Sequence, residues 1–228
     1  DLKVIGEIVH RYENTILVID AVSGLAGQEL RTDEWYLDIV VSGSQKGLMN
    51  APGLGFTCVS AKAWKRIAQA KLPRFYWDYP AMQKMAAKQQ TPFTPAVTLV
   101  VGLHKAIQMI KDYGIENIWK RYEKFALATR AGAQGIGLDL FVKDRPCNVL
   151  TSINSPAGID SEKLVDKLRE EYGVSIAEGQ QTLKGKIFRI AHMGFMDEFD
   201  IIIGISAVER GLKALGYKFE LGQGVAAA

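Results

Sequence analysis

Lys46 and Asp20 are the two residues whose types and positions most clearly indicate chemistry. Lys46 comes shortly after the apolar run 39–41, and Asp20 closes the apolar run 15–20. A lysine amine can form a covalent bond with the aldehyde of a cofactor. A carboxylate facing a pyridine nitrogen keeps that nitrogen protonated, so that the ring accepts electrons. Together the two residues suggest a site for pyridoxal 5'-phosphate.

The elements that must position this pair are two strands. Both runs are continuously apolar rather than alternating, which is typical of parallel strands covered on two faces, and ligands of open α/β sheets bind where such strands end. From spacing alone other interpretations stay open. Lys46 is one of 28 lysines and arginines and fits an ordinary solvated residue, and Asp20 fits a helix N-cap or a loop carboxylate.

Four segments resemble motifs of one enzyme family. Residues 42–56, SGSQKGLMNAPGLGF, resemble the cofactor-lysine segment of class V aminotransferases of the alanine–glyoxylate, serine–glyoxylate and serine–pyruvate group. Residues 17–25 are similar to the segment of that family around its aspartate, residues 91–96 to its threonine–proline element, and residues 188–194 to its arginine segment. The four occur in the order of the family and span most of the chain.

The resemblance implies a role for each residue near the cofactor. Lys46 would bind the aldehyde and, once released, move the proton between the substrate α-carbon and the cofactor. Asp20 would face the ring nitrogen, and Val22 would contact the ring face, although core packing also explains Val22. Gln45, with Ser44 beside it, would donate to the phosphate. Pyridoxal 5'-phosphate is therefore the expected cofactor.

Two further assignments concern the neighbouring subunit and the substrate. Thr94, and with it Thr91, resembles the threonine that reaches the phosphate of the partner subunit, so the resemblance implies a homodimer with shared active sites. Arg189 matches the arginine that receives the substrate α-carboxylate, which a planar guanidinium binds through two parallel hydrogen bonds. Ala191 departs from the glycine usual in that motif. Without the resemblance, Thr94 reads as a turn residue and Arg189 as a salt-bridge partner.

The expected fold is α/β. The resemblance implies the C-terminal part of a large domain of PLP fold type I, with a mainly parallel sheet and helices, plus a smaller α+β C-terminal domain. We assign residues 1–120 to the large domain and 121–228 to the small one. The phosphate loop and the ring-stacking aromatic residue of the family do not precede Asp20, so we expect an N-terminal remainder of the same polypeptide as a partner of this chain.

The local patterns predict individual elements. Apolar helical spacing opens the chain at Leu2, and strands are expected at 15–19, 37–41 and 54–59. Helices are expected from about Ala61, after Pro95, over 115–132, after an Asp160 cap and over 197–215, and strands over 148–153 and 186–190.

Composition excludes several classes of protein. With 48% hydrophobic and 23% charged residues the chain is globular, and its net charge of +3 is not concentrated in a basic block, which argues against nucleic acid or a membrane surface as partner. Three histidines without ligand spacing predict no metal site. Cys58 is expected as a buried free thiol, and with no C-x-x-C motif or leader we expect a cytoplasmic protein.

The expected reaction is transfer of an amino group from a small amino acid, alanine or serine, to a 2-oxo acid, glyoxylate or pyruvate, by a ping-pong mechanism. One alternative is another fold type I enzyme, an aspartate aminotransferase or a lyase like the cysteine desulfurases. Those lyases usually have histidine where this chain has Gln45, and they use a mobile catalytic cysteine. The other alternative is a non-catalytic dimerisation module, which gains weight if these residues are the whole protein.

Overall fold

The computed structural model describes all residues, Asp1–Ala228, and divides the chain into two compact units. The first contains Asp1–Leu25 and Glu29–Asp112, and the second contains Ala26–Gln28 and Tyr113–Ala228. The predicted domains, 1–120 and 121–228, stay a prediction as parts of the large and small domains of the family. None of the helices has the length and apolar character that crossing a membrane requires.

The first unit combines a small sheet with helices. Its strands are β1 (Val18–Asp20), β2 (Ile39–Gly43) and β3 (Gly55–Val59), and its helices are α1 (Leu2–His10), α2 (Ala61–Ile67), α3 (Tyr79–Ala86) and α4 (Val97–Tyr113), of which the last ends at the boundary between the units. The Asp1 carboxylate accepts the Val4 N–H at the start of α1, and the Ser60 hydroxyl accepts the Ala63 N–H at the start of α2. The strands and helices predicted here are thus present, with ends shifted by up to three residues.

The sheet of the first unit has the order β1-β2-β3. Strands β1 and β2 are parallel, with Asp20 opposite Val41, whereas β3 runs antiparallel to β2. The predicted parallel pairing of the Asp20 and Lys46 strands is therefore confirmed. Burial of both strands on two faces is confirmed only for β2, since Val18 is 55% exposed at the edge of this three-stranded sheet.

Two further positions follow from the sheet. Strand β3 is the opposite edge, and three of its five residues are exposed. Cys58 is one of them, so the predicted buried thiol is wrong. A small core of Ala21, Leu37 and Val40 packs against the partly buried side chains of Leu17 and Ile19. Ala21 directly follows Asp20, so the loop that carries Asp20 begins in this core.

The second unit is an α+β arrangement around one larger core. Its strands are β4 (Leu150–Asn154), β5 (Ala177–Glu178) and β6 (Ile187–Ala191), and its helices are α5 (Ile115–Gly135), α6 (Ser161–Tyr172), α7 (Glu198–Ala214) and α8 (Gln223–Ala227), with a 3-10 turn at Gln181–Leu183. The sheet order is β4-β6-β5 and all pairings are antiparallel. Strand β6 is therefore central and has a partner on each side.

Polar caps define the helices that cover this sheet. Asp160 caps α6, and Gly173 ends it in the left-handed conformation (φ 67°), which glycine adopts without strain. Asp197 and Asp200 form a reciprocal capping box at the start of α7. These ends agree with the predicted ones. The buried core beneath includes Ile153, Leu164, Leu168, Phe188, Val208 and Leu212.

Candidate active site

Asp20 lies at the carboxyl end of β1 with an unused acceptor. Its Oδ1 accepts the N–H of Val22 at 2.9 Å, which fixes the direction of the side chain, and its Oδ2 has no hydrogen-bond partner within the chain. The side chain is exposed. A carboxylate held this way presents one free oxygen to a ligand with an N–H group.

The loop after β2 brings Lys46 to the same edge of the sheet. The two strands are parallel, so both loops leave the sheet at the same end. The half-buried Lys46 amine donates a hydrogen bond to the hydroxyl of Ser23, with Nζ 2.7 Å from Oγ. Because Ser23 is only three residues after Asp20, this contact links the predicted lysine to the loop of the predicted aspartate.

The two loops are also tied to each other through their backbones. The Ala21 N–H donates to the carbonyl of Val41 at 2.8 Å, and the hydroxyl of buried Ser42 donates to the carbonyl of Ala21 at 3.2 Å. These bonds extend the β1–β2 pairing beyond the last strand residue of β1. The backbone at which the Lys46 loop begins is therefore hydrogen-bonded to the neighbouring strand and its loop.

Ser44 has an internal task in this loop. It is fully buried, its hydroxyl donates to the carbonyl of Ala51 at 2.6 Å, and it accepts the N–H of Leu54 at 3.2 Å. Both contacts close the loop around Lys46. The role of Ser44 as a phosphate contact stays a prediction, and its hydroxyl is already engaged within the chain.

Gln45 and Val22 flank the pair. Gln45 is exposed, and its carboxamide folds over Gly43, where a Cβ atom would approach the Gln45 Oε1 to 2.7 Å. Val22 is half-buried and donates its N–H to Asp20. Both residues are thus on the predicted edge, and their contacts with a cofactor stay predictions.

The two predicted threonines form a separate surface group. Thr91 and Thr94 are both exposed, and the Thr91 hydroxyl donates to the carbonyl of Phe93 at 2.6 Å, which shapes the turn before α4. The structure records no hydrogen bond from either residue to Lys46 or Asp20. Exposure of both side chains is compatible with the predicted contact to a neighbouring subunit, which stays a prediction.

Arg189 belongs to the second unit, on the central strand β6. Its Nε–H donates to the carbonyl of Glu178 in β5 at 2.9 Å, and its two terminal nitrogens have no partner within the chain. The half-buried side chain lines a cavity of about 300 Å³ together with residues of β4 and α7 such as Leu150 and Ile201. A guanidinium fixed through Nε leaves its two terminal nitrogens available for a carboxylate.

His192, three residues further on, is the opposite kind of group. It is fully buried, one ring nitrogen lies 2.9 Å from the hydroxyl of Thr151, and the other lies 3.2 Å from the carbonyl of Asn148. Burial lowers the pKa of His192 to about 4, and the positive charge of Arg130 adds to the shift. The ring is therefore neutral at physiological pH and fastens β6 to the start of β4.

Two contacts at these residues are not predicted by any sequence pattern. Ser23 lies in the segment with the aspartate motif, but only the parallel pairing of β1 and β2 shows that its hydroxyl faces Lys46. The carbonyl of Glu178 fixes Arg189, and β5 is only two residues long, too short for a periodic pattern.

Comparison with known proteins defines the family. The class V aminotransferase model matches residues 1–196, so the chain belongs to the class V aminotransferase family. It is 41% identical over 229 residues to a protein named soluble hydrogenase, small subunit, from Synechococcus, of which it covers 60%. It is 36% identical over 216 residues to an L-aspartate–glyoxylate aminotransferase from Paracoccus denitrificans, with 93% of this chain and 54% of that protein covered.

A solved structure gives the same result for the fold. The chain is similar to pyridoxamine–pyruvate aminotransferase from Mesorhizobium loti, with a TM-score of 0.93 and 30% identity over 99% of this chain and 59% of that one. The fold is thus that of PLP fold type I, as expected. The chain spans between 54% and 60% of the length of these proteins.

Enzymes of this family use pyridoxal 5'-phosphate, and the residues at the sheet edge fit it. A primary amine and a carboxylate oxygen without a partner face the same edge, on loops whose backbones are hydrogen-bonded to each other. These are the two groups that the aldehyde and the ring nitrogen of this cofactor require. The amine of Lys46 and the free oxygen of Asp20 are therefore compatible with the predicted cofactor.

Proposed function

We propose that the protein transfers an amino group from a small amino acid, alanine or serine, to a 2-oxo acid, glyoxylate or pyruvate. The observation that carries this proposal is the Lys46 amine, hydrogen-bonded to Ser23 at the edge where Asp20 presents a free oxygen. Family membership supports amino-group transfer as the reaction class. The names of the Paracoccus and Mesorhizobium relatives support glyoxylate and pyruvate as the acceptors to test.

Lys46 and Asp20 divide the work. When bound, the cofactor supplies a ring that accepts the negative charge developing at the substrate α-carbon. The Lys46 amine would hold the cofactor aldehyde covalently and, once displaced by the substrate amine, would take the proton from the α-carbon and return it at the neighbouring position. The free oxygen of Asp20 would keep a proton on the ring nitrogen, and Val22 would contact the ring face.

Phosphate binding involves the remaining residues of the first unit. The exposed carboxamide of Gln45 would donate to the phosphate, and Ser44 would assist through its position in the same loop. Thr94, with Thr91, would reach the phosphate bound by a second copy of the chain. This arrangement makes a homodimer with shared sites part of the proposal.

Arg189 would receive the substrate α-carboxylate. Its Nε is already held by the Glu178 carbonyl, so the two terminal N–H groups can form parallel bonds to two carboxylate oxygens. The α-carboxylate is common to alanine, serine and aspartate. Arg189 would therefore recognise amino acids as a class without selecting among them. A ping-pong sequence follows, because the amino donor and the 2-oxo acceptor would use this carboxylate site in turn.

The test uses the full-length protein with pyridoxal 5'-phosphate. We expect the wild type to bind the cofactor with a visible absorption band and to transfer the amino group of L-alanine or L-serine to glyoxylate. Borohydride should fix the cofactor on Lys46, as read by peptide mass spectrometry. Lys46→Ala should lose transfer entirely and should not be labelled, whereas Lys65→Ala, a lysine exposed on α2, should match the wild type.

Two outcomes would contradict the proposal. A wild-type protein that takes up no cofactor would exclude the chemistry and favour a binding module. Retained transfer in Lys46→Ala would show that another group carries the proton. L-Aspartate is measured alongside as donor, since preference for it would correct the donor without changing the reaction class.

A further inference from the structure

The hydroxyl of Ser23 is the single hydrogen-bond partner of the Lys46 amine within the chain. The two residues are 23 positions apart and their atoms are 2.7 Å apart. Ser23 is half-buried and its hydroxyl makes no other hydrogen bond. The contact therefore joins the two loops at the predicted site, and it is the only hydrogen bond that the Ser23 hydroxyl makes.

The two loops around this contact are fixed by hydrogen bonds, whereas a solvated lysine side chain is normally mobile. The β1 loop is fixed by the Ala21–Val41 bond, and the β2 loop is closed by Ser44 through Ala51 and Leu54. A free lysine side chain samples many rotamers, at an entropic cost of up to about 2 kcal/mol when it is ordered. A hydroxyl on a fixed loop selects those rotamers that direct the amine toward Ser23 and the loop after β1.

A hydroxyl also suits an amine that changes its protonation state. It accepts a hydrogen bond from an ammonium group, and it donates one to the lone pair of a neutral amine. The contact can thus persist when Lys46 takes up a proton and when it gives one away. A carboxylate at the same place would favour only the charged form.

We propose that Ser23 is a positioning residue for Lys46, which holds the amine at the strand-end edge whenever it is not bonded to the cofactor. This inference rests on the proposed function and deepens it by adding a group for the lysine step. In this proposal Ser23 acts through its hydrogen bond to the Lys46 amine and contacts neither the cofactor nor the substrate. Its loss should slow every step that needs the free amine in place, and it should leave cofactor binding as such unchanged.

The test compares two backgrounds of the full-length apoprotein. Stopped-flow absorbance measures the rate at which saturating pyridoxal 5'-phosphate is captured covalently. We expect Ser23→Ala to slow capture about tenfold, because the free energy of one hydrogen bond to an amine corresponds to about that factor. Ser23→Thr keeps the hydroxyl and should restore most of the rate. In the Lys46→Ala background, Ser23→Ala should leave the non-covalent dissociation constant of the cofactor unchanged within twofold.

A second control separates positioning from general destabilisation. Ser60→Ala removes the N-cap of α2, so it should lower stability while leaving the capture rate unchanged. If wild type captures the cofactor and Ser23→Ala captures it equally fast, the Ser23 proposal is overturned and the proposed function stands. If Ser23→Ala weakens non-covalent cofactor binding in the Lys46→Ala background by the same factor by which it slows capture, Ser23 is a structural residue and the positioning role is overturned. If the wild type captures nothing, both proposals are overturned.

Discussion

Two aspartates at opposite ends of the same small sheet have opposite surroundings. Asp38, just before β2, is buried: its carboxylate accepts the Leu17 N–H and the Ser60 hydroxyl, both at 2.9 Å, and lies 3.5 Å from Lys62. Asp20, at the end of β1, is exposed and keeps one oxygen free. Both oxygens of Asp38 accept hydrogen bonds within the chain, whereas Asp20 is fixed through one oxygen and has the other available for a ligand.

The second unit repeats this contrast on one strand. His192 is buried with both ring nitrogens engaged, whereas Arg189 is fixed through one nitrogen and has two without partners. In both units, the group with free hydrogen-bonding capacity is the one that the family resemblance assigns to a ligand. Free capacity on a fixed side chain, rather than charge alone, distinguishes the candidate site from the structural network.

Asp20→Asn tests the ligand side of the contrast and should have the largest effect. The asparagine carbonyl can still accept the Val22 N–H, so the loop should be kept, but its amide cannot hold a proton on the ring nitrogen. We expect kcat for L-alanine with glyoxylate to fall by about 10²–10³, the size of a lost electrostatic contact in the transition state. The urea midpoint should move by less than the equivalent of about 0.5 kcal/mol. A kcat within threefold of wild type would remove Asp20 from the site.

Asp38→Asn is the matched change at the other end of the sheet. It weakens two charge-assisted hydrogen bonds to a buried side chain and leaves the half-buried Lys62 without its ion pair. We expect the free energy of unfolding to fall by about 2 kcal/mol. Urea unfolding followed by circular dichroism measures this value. Cofactor capture by the folded variant should equal that of wild type, and slower capture would mean that the two ends of the sheet are coupled.

The sequence predicted this fold where local patterns and motifs were strong. Cap residues and apolar runs predict the helix α7 and the parallel pairing of β1 and β2, and both are present. The family motifs then assign functional roles to Lys46 and Asp20. The prediction that Cys58 is buried is wrong because an apolar run predicts a strand but not whether that strand lies at the edge of the sheet. The Ser23 and Glu178 contacts depend on tertiary placement of loops far apart in the chain, which no local pattern records.

His192 provides the pH test of the structural side. Burial depresses its folded pKa to about 4, whereas an unfolded histidine titrates near 6.5. Below pH 6.5 the unfolded chain therefore takes up a proton that the folded chain refuses, so the stability contributed by the neutral ring is lost as the pH falls toward 4. Each pH unit in this window costs about 1.4 kcal/mol.

The comparison that isolates this group is wild type against His192→Gln, which fills the same place without titrating. From pH 7 to pH 5, the difference in unfolding free energy between the two should change by roughly 2 kcal/mol in disfavour of the wild type. Urea titrations at both pH values measure it, and carboxyl groups elsewhere cancel between the two proteins. A pH-independent difference would mean that His192 binds its proton equally well in the folded and the unfolded chain. In that case burial would not keep the ring neutral, and the contrast with Arg189 on the same strand would not hold.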